Sequence, residues 1–175
     1  MDSRKRIVLT GFMGVGKSTV ARFLASLLDS SRVDLDSFIE HNEQNTIAEI
    51  IQTRGEADFR RIETENLRRI LTENESRVIA LGGGAWTIAE NRRLIKERCL
   101  TTVWLESSFD HCWRNIRLSK RVRPLATNRE LTQKLFDERA KLYCLADWHF
   151  IVRPDFTSFE VAKKIAEEVF SIDFD

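Results

Sequence analysis

Two clusters of residues in this 175-residue chain have the types and the spacing for phosphoryl chemistry. The first is Gly11-Phe12-Met13-Gly14-Val15-Gly16-Lys17-Ser18, a full match to G-x-x-x-x-G-K-[ST] lying between an apolar run and a stretch of helical period. Glycines let successive backbone N–H groups converge on a β-phosphate, and the N-terminus of the following helix adds attraction for the anion. Lys17 then reaches the β- and γ-phosphates, and the Ser18 hydroxyl ligates Mg²⁺. Gly11, Gly14, Val15, Gly16, Lys17, Ser18 and Thr19 are therefore the expected ATP contacts. A glycine-rich turn before an ordinary helix is the plain alternative, but it leaves a lysine and a serine at this spacing to coincidence. The loop establishes nucleotide binding rather than its use. A guanine-reading N-K-x-D is absent, no apolar strand ends in a lone aspartate, and the chain has little room for a motor's extra elements. A small-molecule kinase is favoured.

The second cluster is scattered. Val33-Asp34-Leu35-Asp36 is expected to place two carboxylates, one residue apart, at the carboxyl end of a strand, where ligands bind in open parallel sheets. One carboxylate, Asp34, can hold Mg²⁺ through water while the other takes an acceptor hydroxyl; a pair of caps on the next helix is the alternative. Further on stand Gly55-Glu56-Ala57-Asp58-Phe59-Arg60-Arg61-Ile62-Glu63, then Leu81-Gly82-Gly83-Gly84-Ala85, Arg123-Pro124-Leu125 and Arg139 to Tyr143. Taken alone, Arg60 reads equally as a surface partner of Glu63 or Glu65.

Together with the phosphate loop, these five stretches resemble the shikimate kinase family in order and approximate spacing, across essentially the whole chain. The resemblance implies that Asp36 accepts the proton of the shikimate 3-hydroxyl, that Arg60 and Arg139 grip the shikimate carboxylate, and that Gly82, Gly83 and Gly84 bring backbone to the ring. It also implies that Arg123 is the catalytic arginine of a mobile lid. A guanidinium fork pairs with a carboxylate at two points, which suits the two arginines to that role. Arg114 or Arg117 is the candidate for stacking on adenine. The chain departs from the family where Lys141 replaces a frequent proline, where the lid stretch Ala126–Leu131 lacks glycine, and where Trp86 directly follows Gly-Gly-Gly-Ala.

The elements that must position these residues follow from alternating periods. Short apolar runs at Ile7–Leu9, Arg32–Leu35, Val78–Leu81, Thr101–Leu105 and His149–Val152 read as strands. Helical periods cover Lys17–Asp29, Asp58–Thr72, Ile88–Arg98, Phe109–Leu118, Arg129–Tyr143 and Phe156–Ser171, the last with Phe159, Ala162, Ile165 and Val169 on one face and a Thr157/Glu160 capping box. This is the pattern of βαβ units around a parallel sheet. The resemblance adds a three-layer α/β/α P-loop fold with five strands in order 2-3-1-4-5. It also adds a substrate-binding segment at about 36–62 and a lid at about 117–131. Only seven glycines occur, in three places: the phosphate loop, Gly82–Gly84, and Gly55 just before a helix.

Composition narrows the partners. A hydrophobic fraction of 42% beside 31% charged residues suits one globular domain over residues 1–175. Net charge of +1 gives no general attraction for nucleic acid or membrane, and the basic run Arg117–Arg123 lacks the interleaved aromatic residues of a nucleic-acid site. No apolar stretch approaches the roughly 20 residues needed to span a bilayer, so a cytoplasmic enzyme acting on ATP and shikimate is expected, as a monomer in the manner of the family. Cys99, Cys112 and Cys144 read as buried reduced thiols; His41, His111, His149, Trp104, Trp113 and Trp148 read as structural. A kinase for gluconate or a nucleotide is the nearest rival, disfavoured by two arginines and a triple glycine. A catalytically inactive nucleotide-binding module is the other, disfavoured by the presence of Lys17 and Asp36.

Overall fold

The computed structural model of the chain describes residues 5–119, 125–126 and 128–174. Five short strands, β1 (Ile7–Thr10), β2 (Arg32–Asp34), β3 (Val78–Ala80), β4 (Thr101–Glu106) and β5 (Trp148–Ile151), pair in parallel in the order β2-β3-β1-β4-β5. Seven helices surround them: α1 (Lys17–Leu27), α2 (Leu35–Glu43), α3 (Ile47–Glu73), α4 (Ala89–Glu97), α5 (Phe109–Leu118), α6 (Arg129–Tyr143) and α7 (Ser158–Phe170). Every residue of β1 and β3 is buried. Because successive strand side chains point to opposite faces, helices must cover both, and the runs are accordingly continuous rather than alternating.

The register brings Leu9 opposite Ala80 and Thr10 opposite Trp104, so the loops that leave β1, β3 and β4 emerge at one carboxyl edge. The chain goes from β1 outward to β2, returns through β3, and then crosses to β4 on the far side of β1. That reversal opens a crevice above β1.

Helix starts follow local chemistry. Thr46 with Glu49, and Thr157 with Glu160, form complete capping boxes, while Ser108 and Asn128 cap α5 and α6 through their side chains. Four sequence expectations need correction. The strand at 32–35 ends at Asp34, and α2, inside the substrate-binding segment expected at about 36–62, begins at once, so Asp36 lies in a first helical turn and not on a strand. Helix α3 starts at Ile47, earlier than the expected Asp58, but its path breaks at Gly55, which stands just before the expected helix as read. Phe159 is 45% exposed, leaving the apolar face of α7 to Val161, Ala162, Ile165, Ala166, Val169 and Phe170. Only Cys112 is buried; Cys99 sits in a left-handed turn after α4 and Cys144 caps α6, both exposed and all three unbridged. Among the structural readings, Trp148 is 37% exposed on the edge strand, whereas Trp104 is buried against Tyr143 and His149.

Candidate active site

The crevice above β1 is a cavity of about 810 Å³, toward the upper end of the usual range for small-molecule sites. Gly14, Gly16, Lys17, Ser18 and Thr19 line one side of it, and Asp34, Asp36, Arg60, Glu63, Gly82, Gly83, Gly84 and Arg139 line another. Residues separated by up to 125 positions thus meet in one space. Gly11 and Val15 do not line it: Val15 is buried behind the loop, and a side chain on Gly11 would meet the Leu105 carbonyl at 2.6 Å.

The phosphate loop requires glycine for its backbone. Gly11, Gly14 and Gly16 have φ of 138°, 84° and 101°, values that a side chain strongly disfavours. Gly14 is also pressed on α5, where an added Cβ would lie 2.5 Å from the Cys112 carbonyl, and Asn115 Nδ2 donates to the Gly14 carbonyl at 2.8 Å. Lys17 Nζ donates to the carbonyls of Gly11 and Phe12 at 2.7 and 3.0 Å, which holds the ammonium over the loop. Ser18 Oγ donates to Asp34 Oδ2 at 2.5 Å, and Asp34 Oδ1 accepts the Ser37 amide at 3.2 Å. Asp34 is therefore both the cap of α2 and the neighbour of Ser18, so the capping and metal readings are compatible. Two hard oxygen donors side by side suit Mg²⁺, which takes one or two protein oxygens and completes its shell with water and phosphate. No cluster of three or more metal-binding side chains occurs among the described residues.

The acceptor side is built from charges held between helices α2, α3 and α6 and the loop after β3. Arg60 Nη1 donates to Glu63 Oε2 at 2.8 Å and its Nη2 to Glu56 Oε1 at 3.0 Å. Glu63 is 1% exposed, and burial pushes its carboxyl above the usual range, against the pull of Arg60. Arg60 is itself disfavoured by burial, but the charges and hydrogen bonds of Glu63 and Glu56 outweigh this and raise it. Arg139, 7% exposed, is lowered chiefly by burial, yet a guanidinium stays charged at neutral pH. Removing one partner of such a buried pair costs about 3–5 kcal/mol because the other charge is left uncompensated. Glu63 thus belongs to the site, although as a sequence letter it looked only like a salt-bridge partner; the G-E-x-x-F-R-x-x-E spacing was the one signal for it. The surface-pair alternative for Arg60 is partly right, since Arg60 does pair with Glu63, but inside the cavity.

Gly82 and Gly84 are glycine for a different reason from the phosphate loop. A Cβ on Gly82 would collide with the Asp36 carboxylate, and one on Gly84 would lie 2.5 Å from the Arg60 guanidinium nitrogens. A Cβ on Gly83 would lie 3.3 Å from the Met13 amide nitrogen and 3.5 Å from Arg139 Nη1, the latter an ordinary contact. Among the other expected residues, Leu125 lines the cavity, while Arg123 lies outside the described residues, as does most of the basic run. Neither Arg114 nor Arg117 lines the cavity; the α5 residue that does is Asn115.

Comparison with known proteins agrees with this geometry. The family model described as Shikimate kinase matches residues 13–170. A shikimate kinase of Lactococcus lactis subsp. cremoris is 38% identical over 163 residues, covering 93% of this chain and 96% of its own. One from Brucella canis is 37% identical over 155 residues, covering 86% and 76%. The structure of shikimate kinase from Acinetobacter baumannii in complex with shikimate superimposes with a TM-score of 0.87 at 32% identity, covering 95% of this chain and 93% of that one. A gluconokinase from Sinorhizobium meliloti, at 14% identity and a TM-score of 0.56, shares the fold alone.

Proposed function

This chain belongs to the shikimate kinase family, an ATP-dependent kinase family, and from that premise we propose that it transfers the γ-phosphate of ATP to the 3-hydroxyl of shikimate, giving 3-phosphoshikimate on the route to chorismate and the aromatic amino acids. One observation carries the reading: a phosphate loop with Lys17 and Ser18 opens into the same cavity as Asp36, the half-buried Arg60 and the buried Arg139. Lys17 leaves its loop carbonyls to neutralise charge on the β- and γ-phosphates, and the loop amides hold the phosphates in place. Ser18 and Asp34 would hold Mg²⁺, which would supply charge neutralisation at the phosphates. Arg60 and Arg139 take the shikimate carboxylate, and Asp36 orients the 3-hydroxyl and accepts its proton. Glu63 keeps Arg60 charged and aimed. Gly82 and Gly84 let Asp36 and Arg60 stand where side chains would otherwise be, in addition to bringing backbone to the ring. Residues of about 36–62 form the acceptor segment, and those of about 117–131, with Arg123, the lid.

No described helix is long and apolar enough to cross a membrane. In the manner of the family, the proposed enzyme is a cytoplasmic monomer acting on small molecules. The test is coupled ADP release with ATP, Mg²⁺ and a panel of shikimate, gluconate and nucleoside monophosphates. Turnover with shikimate alone is expected. Turnover with gluconate or a nucleotide in preference would reassign the acceptor, and none with any would leave a nucleotide-binding module.

A further inference from the structure

Trp86 is the one aromatic residue that breaks the small-residue run after Gly82–Gly84, and the mechanism gives it no task. It is 3% exposed in a 3₁₀ turn (Ala85–Thr87), and its indole Nε1 donates to the Leu142 carbonyl at 2.9 Å. That carbonyl lies in the last turn of α6, where carbonyls have no helical partner; it also accepts the Leu145 amide at 3.1 Å. The next residue returns the contact. Tyr143, 1% exposed, donates its hydroxyl to the Gly83 carbonyl, and its ring lies 6.0 Å from that of Trp104 on β4. Burial raises the Tyr143 hydroxyl to about 12, so it stays protonated and remains a donor.

Two adjacent residues of α6 are thereby bonded, one as acceptor and one as donor, to two residues of the glycine loop. The loop is itself anchored to α4, where Asn91 Nδ2 donates to the Ala85 carbonyl at 2.9 Å and Arg92 Nη1 to the Trp86 carbonyl at 2.7 Å. Arg139 stands four residues before Tyr143, on the same helical face and one turn from the junction, and its guanidinium also bonds the Tyr143 hydroxyl directly. Any slide or rotation of the α6 end relative to the loop displaces its guanidinium from Gly83 and from the acceptor space.

We propose that Trp86 and Tyr143 are positioning residues that lock the end of α6 to the glycine loop and so set where Arg139 meets the acceptor carboxylate. The inference rests on the reading of Arg139 as a carboxylate-binding residue. It predicts a defect confined to one substrate, because the bonds of these two residues join α6 to the glycine loop on the acceptor side.

The test uses the full chain with Trp86→Phe, Tyr143→Phe and Arg139→Lys, measuring shikimate affinity, ATP affinity and melting temperature for each. Each phenylalanine variant should weaken shikimate binding by about three- to tenfold, the effect of losing one ordinary hydrogen bond, with ATP affinity within about twofold of the parent. Equal losses for both substrates, or a lower melting temperature with shikimate affinity unchanged, would overturn the proposal. Should Trp86→Phe not fold, Tyr143→Phe carries the test alone, since it removes a single oxygen. If Arg139→Lys leaves shikimate affinity unchanged, the carboxylate reading fails and takes this inference with it. If Arg139→Lys weakens shikimate binding and neither phenylalanine variant does, only the positioning role is lost.

Discussion

The two glycine-rich loops at the carboxyl edge of the sheet use the same residue for opposite purposes. In the phosphate loop after β1, glycine is demanded by the backbone: φ is positive at Gly11, Gly14 and Gly16, and two of these sites also meet neighbouring carbonyls at 2.5–2.6 Å. In the loop after β3, Gly84 has ordinary angles, φ −100° and ψ −20°, and what excludes a side chain is the Arg60 guanidinium. One loop is glycine so that amides can face an anion; the other is glycine so that charged side chains from α2 and α3 can enter the cavity. The first is a property of the chain's local path. The second exists only where three separate elements meet.

The largest effect that separates the two sides is expected from Lys17→Met. It should leave no turnover above background while the melting temperature stays close to the parent's, because the lysine supplies charge at the phosphates and its Nζ bonds backbone carbonyls of the loop itself. Substantial activity in this variant would remove the phosphate loop from the chemistry. On the acceptor side, Asp36→Asn should lower kcat by roughly 10²-fold or more with ATP affinity retained, the usual scale of lost general-base work. The helix cap is Asp34, so this substitution leaves the cap intact, and a stable variant with parental kcat would refute the proton-accepting role.

The comparison of the loops is tested directly by placing alanine in each. Gly14→Ala forces a side chain into positive φ and against the Cys112 carbonyl, and should lower the melting temperature by roughly 5 °C or more through about 1–3 kcal/mol of strain. Gly84→Ala meets only the far end of a flexible side chain. It should melt near the parent temperature yet raise the KM for shikimate by about tenfold, with the KM for ATP unchanged, as Arg60 is pushed off its two-point contact. If both variants lose stability alike, the distinction drawn between the loops is wrong.

The smallest effect concerns pH. Burial raises the Tyr143 hydroxyl from about 10 to about 12 in the folded chain, so between those values the folded state holds a proton that the unfolded state has released. Stability from this group is full below pH 10 and lost as pH rises toward 12. Denaturant midpoints across that window should fall less steeply for Tyr143→Phe than for the parent, and parallel slopes would contradict the burial argument.

Much of this was legible in the sequence. All five strands and their helices α1, α4, α5 and α6 lie within a few residues of their expected places, because each carries a complete local signal of apolar run or helical period. The start of α2 was placed too late because Asp34-Leu35-Asp36 continues an extended-looking run, and the letters alone could not rank the capping alternative, which Asp34 fills, above the strand. Gly55 was read in its place just before a helix, since its φ of 82° and ψ of 165° suit only glycine, but the turns from Ile47 up to it were not marked as a separate helix.

What the sequence determined by itself is the phosphate loop, since eight consecutive residues specify both the backbone path and the charge, and no other part of the chain is needed to recognise them. The resemblance to the shikimate kinase family also pointed to Asp36, Arg60 and Arg139. The tertiary structure alone decided that Glu63 is buried between Arg60 and Asp36, that Gly82 and Gly84 are spaces for those side chains, and that Trp86 and Tyr143 join α6 to the loop. The physical reason is range. A φ angle or a capping box is settled within four residues, whereas a buried charge cluster depends on which strand order brings α2, α3 and α6 over the same edge of the sheet.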